Sequence, residues 1–232
     1  MTALAGLWHF DGRPDAAGGC ARMLTSQEIY GPDHGAQWSD NSIALGRRLM
    51  RVLPEDAFDR QPLIGGGGRH VLVADVRLDN RDELTEGLGI PEAQSRTLSD
   101  AAILLAAFEC WGESCLERLV GEYAFAAWDG ARQRLVLARD PLGWRPLYYH
   151  RGKNFFAFAS MPKGLHALPD VPYAPDQEGI AEFLVWMPTT GQQSFFSGIE
   201  RVEPGHVVTV TADGLATRQH WQPSRRRIDT VG

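Results

Sequence analysis

The sequence is poor in the residues and motifs that mark several common classes of protein. Its 232 residues include three cysteines, Cys20, Cys110 and Cys115, without CxxC or CxxH spacing. We expect all three to act as small buried hydrophobic side chains in a reducing compartment, and not as disulfides or metal ligands. The histidines stand singly, without an HExxH or HxxxH pair. The sequence therefore predicts no metal site.

Long apolar runs and an excess of positive charge are also missing. No apolar segment approaches the ~18 to 20 residues that cross a bilayer, and the amino terminus lacks the basic and apolar regions of a signal peptide. With 23 Lys and Arg against 29 Asp and Glu, the formal net charge is −6. This balance disfavours a surface for nucleic acids or anionic membranes. We expect a cytoplasmic protein with no nucleic-acid and no membrane partner.

What the sequence does contain is a large apolar fraction, distributed over strands and helices of mixed order. Hydrophobic residues make up 44% of the chain, which is enough for a buried core. The run from Ala3 to Phe10 predicts a buried strand almost at the first residue, and residues 100–111 predict a helix that is apolar nearly all round. Short strands and tight turns follow that helix. Without regular strand–helix–strand alternation, this order predicts an α+β class with antiparallel hairpins.

Eight short motifs occur in a fixed order along nearly the whole chain. They are YGPD, ALGRRL, RLDNRDEL, LSDAAILL, GEYAFAAWD, ARDPLGWRPLYYH, FAFAS and VEPGH. The ordered set resembles the amino-terminal class II glutamine amidotransferase domain of the asparagine synthetase family. The resemblance implies the N-terminal-nucleophile hydrolase fold, a four-layer αββα sandwich of two antiparallel sheets. Such a fold would account for a strand at residue 3.

The catalytic positions of that family are changed in this sequence. Active members have a cysteine at position 2, and its α-amino group, freed by removal of Met1, is the general base beside its own thiol. Here position 2 is Thr2. By resemblance, the family's Asn-Gly-Glu triplet, which stabilises the oxyanion and holds glutamine, matches Asp75, Val76 and Arg77. The carboxylate of Asp75 would repel an oxyanion, and Val76 excludes a backbone conformation that only glycine tolerates.

Two substrate-binding positions of the family are retained. By resemblance, Arg48 matches the arginine that pairs with the α-carboxylate of glutamine, and Asp100 matches the aspartate that receives its α-ammonium. These residues indicate either a remnant amino-acid pocket or a polar network that only stabilises the sandwich. We expect Arg77 to neutralise Asp100 and Asp75 to pair with Arg48, which would fill the site from within.

The resemblance also implies a longer parent protein. The family's synthetase domain has a pyrophosphate loop, Ser-Gly-Gly-x-Asp-Ser, which does not occur in this sequence. We expect residues 1–221 to form the amidotransferase-like domain and residues 222–232 a linker toward a C-terminal ATP-dependent synthetase domain. That domain would hold ATP and Mg²⁺, and no cofactor is expected in this chain.

Three functional hypotheses follow from these features. Branches of the family that take no ammonia from glutamine have lost the N-terminal cysteine, and the segments ALGRRLMRVLPED and VLVADVRLDNRDEL look most like those of the lasso-peptide macrolactam cyclases. The leading hypothesis is a catalytically degenerate domain of such an amide-forming ligase, with the synthetase domain and a precursor peptide as partners. The alternatives are the active glutaminase half of a glutamine-hydrolysing asparagine synthetase that uses Thr2, and a free-standing module that binds a peptide or an amino acid.

Overall fold

Two six-stranded sheets make up most of the structure, a computed structural model that describes residues 1–186 and 191–223. Neighbouring strands in both sheets are antiparallel. The strands are β1 (Ala3–His9), β2 (His34–Asp40), β3 (Ile43–Leu49), β4 (Leu63–Gly65), β5 (His70–Leu78), β6 (Gly121–Asp129), β7 (Arg134–Arg139), β8 (Tyr148–Arg151), β9 (Phe155–Ala159), β10 (Glu200–Arg201), β11 (His206–Val210) and β12 (Leu215–Gln219). Sheet A has the order β10-β8-β9-β1-β3-β2, and sheet B the order β12-β11-β7-β6-β5-β4.

The described residues form six α-helices, and the two longest lie on the outer faces of the two sheets. The six helices are α1 (Ala16–Ser26), α2 (Arg81–Gly87), α3 (Glu92–Ser95), α4 (Asp100–Trp111), α5 (Pro162–Leu165) and α6 (Gln177–Leu184). The apolar side of α1 packs on sheet A, while α4 packs on sheet B. The predicted helix at residues 100–111 is confirmed, and it begins after Ser99, whose Oγ accepts a hydrogen bond from the Ala102 amide.

Besides the two apolar clusters between the sheets and their helices, a third apolar cluster fills the space between the two sheets. Leu4 and Trp8 of β1 meet Val71 and Val73 of β5 in this layer. Every residue of β1 is buried, because the strand lies inside sheet A between β9 and β3. The order helix, sheet, sheet, helix confirms the predicted α+β sandwich of two antiparallel sheets.

The structure also differs from the sequence predictions. The edge strand β2 was not predicted, because its sequence HGAQWSD is polar and most of its residues are exposed. The prediction that all three cysteines are buried was wrong for Cys110, which is exposed on α4. Burial raises the pKa of the Cys20 and Cys115 thiols to about 12, and it leaves those two thiols unreactive at neutral pH.

Two further predictions concern membrane-spanning segments and the linker at residues 222–232. No helix among the described residues is both long enough and apolar enough to cross a membrane. Residues 224–232, most of the predicted linker, lie outside the described residues.

Candidate functional site

A cavity opens at one end of the sandwich, between the start of β1 and the carboxyl half of β5. Its volume is about 160 Å³. Asp75 follows Val71 and Val73 at intervals of two residues, so its side chain lies on the face of β5 that is turned toward sheet A. Of the six residues that the sequence predicted for the site, five line this cavity. They are Thr2, Asp75, Val76, Arg77 and Asp100.

Thr2, which by resemblance matches the family nucleophile, has surroundings that are not those of an activated nucleophile. The residue is buried, and its hydroxyl oxygen accepts a hydrogen bond from the Met50 amide at 3.3 Å. Met1 precedes it, and the Met1 ammonium contacts the Met50 Sδ atom at 2.8 Å. While Met1 is attached, the Thr2 nitrogen is part of a peptide bond and cannot act as a base.

Asp75 is a buried carboxylate with one cationic side chain beside it. The Arg145 Nη1 atom lies 3.5 Å from each oxygen of Asp75, and the same guanidinium is 3.1 Å from Glu122. Burial raises the pKa of Asp75 to about 6, although Arg145, the N-terminal ammonium and the Thr2 amide each act to lower it. At neutral pH the site thus presents a largely ionised acceptor at the position that, by resemblance, holds a neutral donor in the family.

Val76, which by resemblance matches the family glycine, is in regular strand conformation. It pairs with Tyr123 of β6, and it is not among the described residues with positive φ. The Gln61 side chain bonds both the N–H and the C=O of Ala74 on the other edge of β5. Because backbone groups alternate between the two edges of a strand, the Val76 N–H points toward the same edge as that of Ala74. One backbone donor is thus directed to the cavity side of β5.

Asp100 is held by an arginine, but not by the arginine that the sequence suggested. Its carboxylate accepts a hydrogen bond from the Leu78 amide at 2.9 Å and forms an ion pair with Arg81. Burial raises the pKa of Asp100, while the Leu78 amide and Arg81 act to lower it. Arg77 instead approaches Asp79, at 3.7 Å. The expected Arg77–Asp100 pair was therefore wrong.

Arg48 does not reach the cavity. It lies on the outer face of β3, where its Nε atom donates to the Gly31 carbonyl at 3.0 Å and its terminal nitrogen pairs with Glu28. The prediction that Arg48 pairs with Asp75 was wrong, because Arg145 holds that carboxylate. The prediction that Arg48 lies in a substrate pocket was also wrong. Successive side chains of a strand point to opposite faces, and Arg48 is on the face of β3 turned away from the cavity.

The neighbouring residue, Arg47, faces the other way. Like Leu45, it points into the space between the sheets, where it is 1% exposed. Its terminal nitrogen pairs with Asp59 at 2.8 Å, and Asp59 also accepts hydrogen bonds from the amide and the side chain of Gln61. Asp59 and Gln61 line the cavity. The sequence analysis missed this group, because nothing in the motif distinguishes Arg47 from Arg48 without the strand register.

Arg145 was also missed, although the motif ARDPLGWRPLYYH contains it. The loop that carries Arg145 is held by Asp140, which is 1% exposed. Its carboxylate accepts hydrogen bonds from the amides of Leu142, Trp144 and Arg145 at 3.0, 3.1 and 3.2 Å. The position of Arg145 opposite Asp75 depends on the packing of β5 against this loop. Sequence spacing alone does not give it.

Taken together, these contacts limit the chemistry of the cavity. Each of the carboxylates Asp59, Asp75 and Asp100 already has a cationic partner from the chain itself. Among residues 1–186 and 191–223, no group of three or more His, Cys, Asp or Glu side chains is arranged to hold a metal ion. The arrangement provides a backbone donor at Val76 and a hydroxyl at Thr2, but no base bonded to that hydroxyl in the described structure.

Comparison with known protein families agrees with the geometry. Residues 1–221 match the family model described as a glutamine amidotransferase domain. The chain is 30% identical over 203 residues to asparagine synthetase [glutamine-hydrolyzing] 3 of Bacillus subtilis (strain 168), an alignment that covers 86% of this chain and 33% of that protein. A putative asparagine synthetase [glutamine-hydrolyzing] of Mycobacterium tuberculosis (strain ATCC 25618 / H37Rv) is 30% identical over 218 residues, covering 87% of this chain and 33% of the relative. The chain thus spans about a third of the length of these relatives.

Solved structures show the same fold at lower sequence identity. The glutamine phosphoribosylpyrophosphate amidotransferase of B. subtilis, in complex with ADP and GMP, superposes with a TM-score of 0.68. The superposition covers 95% of this chain and 50% of the other, at 17% sequence identity. At this identity the likeness concerns the fold alone.

Proposed function

We propose that this chain is a catalytically degenerate domain of an ATP-dependent amide-forming ligase. The chain belongs to the glutamine amidotransferase domain family, in the class II form of the asparagine synthetases. In the proposed role the domain takes no ammonia from glutamine and serves as a scaffold for the domain that forms the amide. The observation that carries the proposal is the buried Asp75 carboxylate, paired with Arg145, where a working site needs a neutral donor.

The charge of Asp75 opposes the chemistry of glutamine hydrolysis. A tetrahedral intermediate places negative charge near the oxyanion donors, and the loss of one donor costs about 100- to 1000-fold in rate. Asp75 removes a donor and adds a second negative charge that is only 6% exposed to water. The remaining donor, the Val76 N–H, would have to stabilise the oxyanion without it.

The length of the relatives supports a second domain in the parent protein. The matched asparagine synthetases are about three times as long as the region they share with this chain. We propose that the parent is of the lasso-peptide cyclase type, on the resemblance of residues 44–56 and 71–84, and that a precursor peptide is its substrate. ATP and Mg²⁺ would be held by the C-terminal domain, and the amino group that forms the amide would come from the peptide itself.

An assay of ammonia release tests the degeneracy directly. The wild-type chain and Thr2→Cys are each incubated with glutamine after mass spectrometry has established whether Met1 is removed. We expect ammonia release at background for both, because the cysteine alone does not restore the donor at Asp75. The double variant Thr2→Cys/Asp75→Asn should exceed Thr2→Cys by about 100-fold or more, the value of one oxyanion donor.

An active glutaminase half that uses Thr2 is the second candidate, favoured by the position of Thr2 in the cavity and by the Val76 N–H directed to the same side. It predicts ammonia release by the Met1-free wild type that disappears in Thr2→Ala. That result would refute the degenerate domain. A free-standing amino-acid-binding module is not favoured, since Arg48 lies outside the cavity.

A further inference from the structure

Three large apolar side chains are exposed on one part of the surface, at the loop before β8 and after the last strand. Leu142 is 71% exposed, Trp144 66% and Trp221 43%. A single exposed apolar side chain is ordinary on a soluble protein, whereas a contiguous group marks an interaction site. We call these three residues the exit patch.

Backbone contacts bring the two segments that carry the exit patch to one turn. Gly143 packs against a turn formed by Pro204 and Gly205. A Cβ added at Gly143 would lie 2.7 Å from the Pro204 ring. On the other side of that turn, the Trp221 amide donates to the Gly205 carbonyl at 3.2 Å. The loop and the segment after β12 therefore rest on the same two-residue turn, Pro204 and Gly205.

The loop displays its side chains from a fixed backbone. Asp140 accepts three hydrogen bonds from amides of the loop. Arg139 donates to the carbonyls of Arg145, Gly143 and Val202. Because the backbone is already ordered, a partner that covers Leu142 and Trp144 would lose little conformational entropy in ordering it.

The position of the patch indicates which partner covers it. The chain leaves the sandwich at Trp221, within the patch, so a domain that follows is tethered to the patch through the predicted linker, residues 222–232. Such tethering raises the effective concentration of the following domain at the patch to about the millimolar range. We infer that the exit patch is the docking surface for the domain that follows residue 221 in the longer ligase, an inference that rests on the proposed function.

The experiment uses the full protein that contains residues 1–232 and the domain after them. A protease site replaces residues 224–230, the protein is cleaved there, and the affinity of the two halves is measured. We expect Leu142→Asp and Trp144→Asp each to weaken association at least tenfold. Ile64→Asp is the matched control, because Ile64 is 57% exposed on β4, at the opposite edge of sheet B from β12, and it should leave the affinity unchanged.

A second measurement needs no variant. Hydroxyl-radical oxidation of Trp144 and Trp221 is compared between the uncleaved protein and the isolated 232-residue chain. We expect oxidation of both side chains to fall at least fivefold in the full protein, while that of Ile64 is equal in the two samples.

Each other result overturns the inference in a distinguishable way. Tight association that is insensitive to the exit-patch variants, with unchanged oxidation, would refute the docking surface and leave the proposed function standing. An open reading frame without a further domain would refute both. Self-association of the 232-residue chain that Trp144→Asp abolishes would assign the patch to a second copy instead.

Discussion

Replacing Asp75 with asparagine should make the protein more stable at neutral pH. The carboxylate is buried, and its pKa is raised from 3.8 to about 6. At about 1.4 kcal/mol per pH unit, this rise corresponds to about 3 kcal/mol by which the folded state prefers the protonated form. The amide side chain of the Asp75→Asn variant would be neutral at every pH and similar in size to the carboxylate, so the variant avoids the cost of a buried negative charge.

The sign of the pH dependence follows from the direction of the pKa change. Between about pH 4 and 6 the folded state binds more protons at this position than the unfolded state, so wild-type stability falls as the pH rises. The contribution is fully present below about pH 4 and is lost once the pH has passed the folded-state pKa of about 6. Asp75→Asn should match the wild type near pH 4 and exceed it by up to about 3 kcal/mol at pH 7.5.

Urea unfolding at a series of pH values measures this difference. The wild type, Asp75→Asn and a control, Asp213→Asn, are compared from pH 4 to pH 7.5. Asp213 is exposed in the turn between β11 and β12, and its replacement should leave the wild-type pH dependence intact. The reasoning is refuted if Asp75→Asn follows the same pH curve as the wild type, or if it is less stable at pH 7.5.

Three further predictions concern stability and binding. Asp59→Ala leaves the Arg47 guanidinium buried without its carboxylate, and it should cost about 3 to 5 kcal/mol in urea unfolding; an additional Arg47→Met should recover part of that loss. Arg48→Ala should cost less than about 1 kcal/mol and leave the calorimetric signal with glutamine the same as that of the wild type, so a specific loss of glutamine binding would contradict the geometry. Gly121→Ala should lower stability by more than about 1 kcal/mol, because φ is 144° and a Cβ would lie 2.1 Å from a β5 carbonyl oxygen; Gly214→Ala, with open space around it, is the thermal-denaturation control and should be close to neutral.

The apolar patterns were sufficient to predict the main layers of the fold. β1 and β5 have runs of buried side chains that few other structures could accommodate, and α4 is apolar over most of its surface. The edge strand β2 could not be found in this way, because its polar residues face solvent. Its place depends on hydrogen bonding to β3, a contact that propensity does not encode.

The site was harder to predict than the fold, for reasons of register and distance. One residue of register decides whether Arg47 or Arg48 faces the space between the sheets. The partners of Asp75 and Asp100 are Arg145, on a loop 70 residues away in sequence, and Arg81, on α2. Complementary charges in the motif suggested other pairs, but tertiary packing selects among the arginines.

The place of β1 in sheet A has a consequence for biosynthesis. In sheet B, β4, β5, β6 and β7 pair in the order of the sequence, so each can pair with the preceding strand as it leaves the ribosome. β1 is made well before β9, which pairs with one of its edges, where Ala5 meets Ala159. At about 5 to 20 residues per second, that edge stays open for roughly 10 to 30 s during translation. A nascent chain with an unpaired apolar strand is prone to aggregation, so the yield of folded protein should depend on chaperones that hold the first residues until β9 emerges.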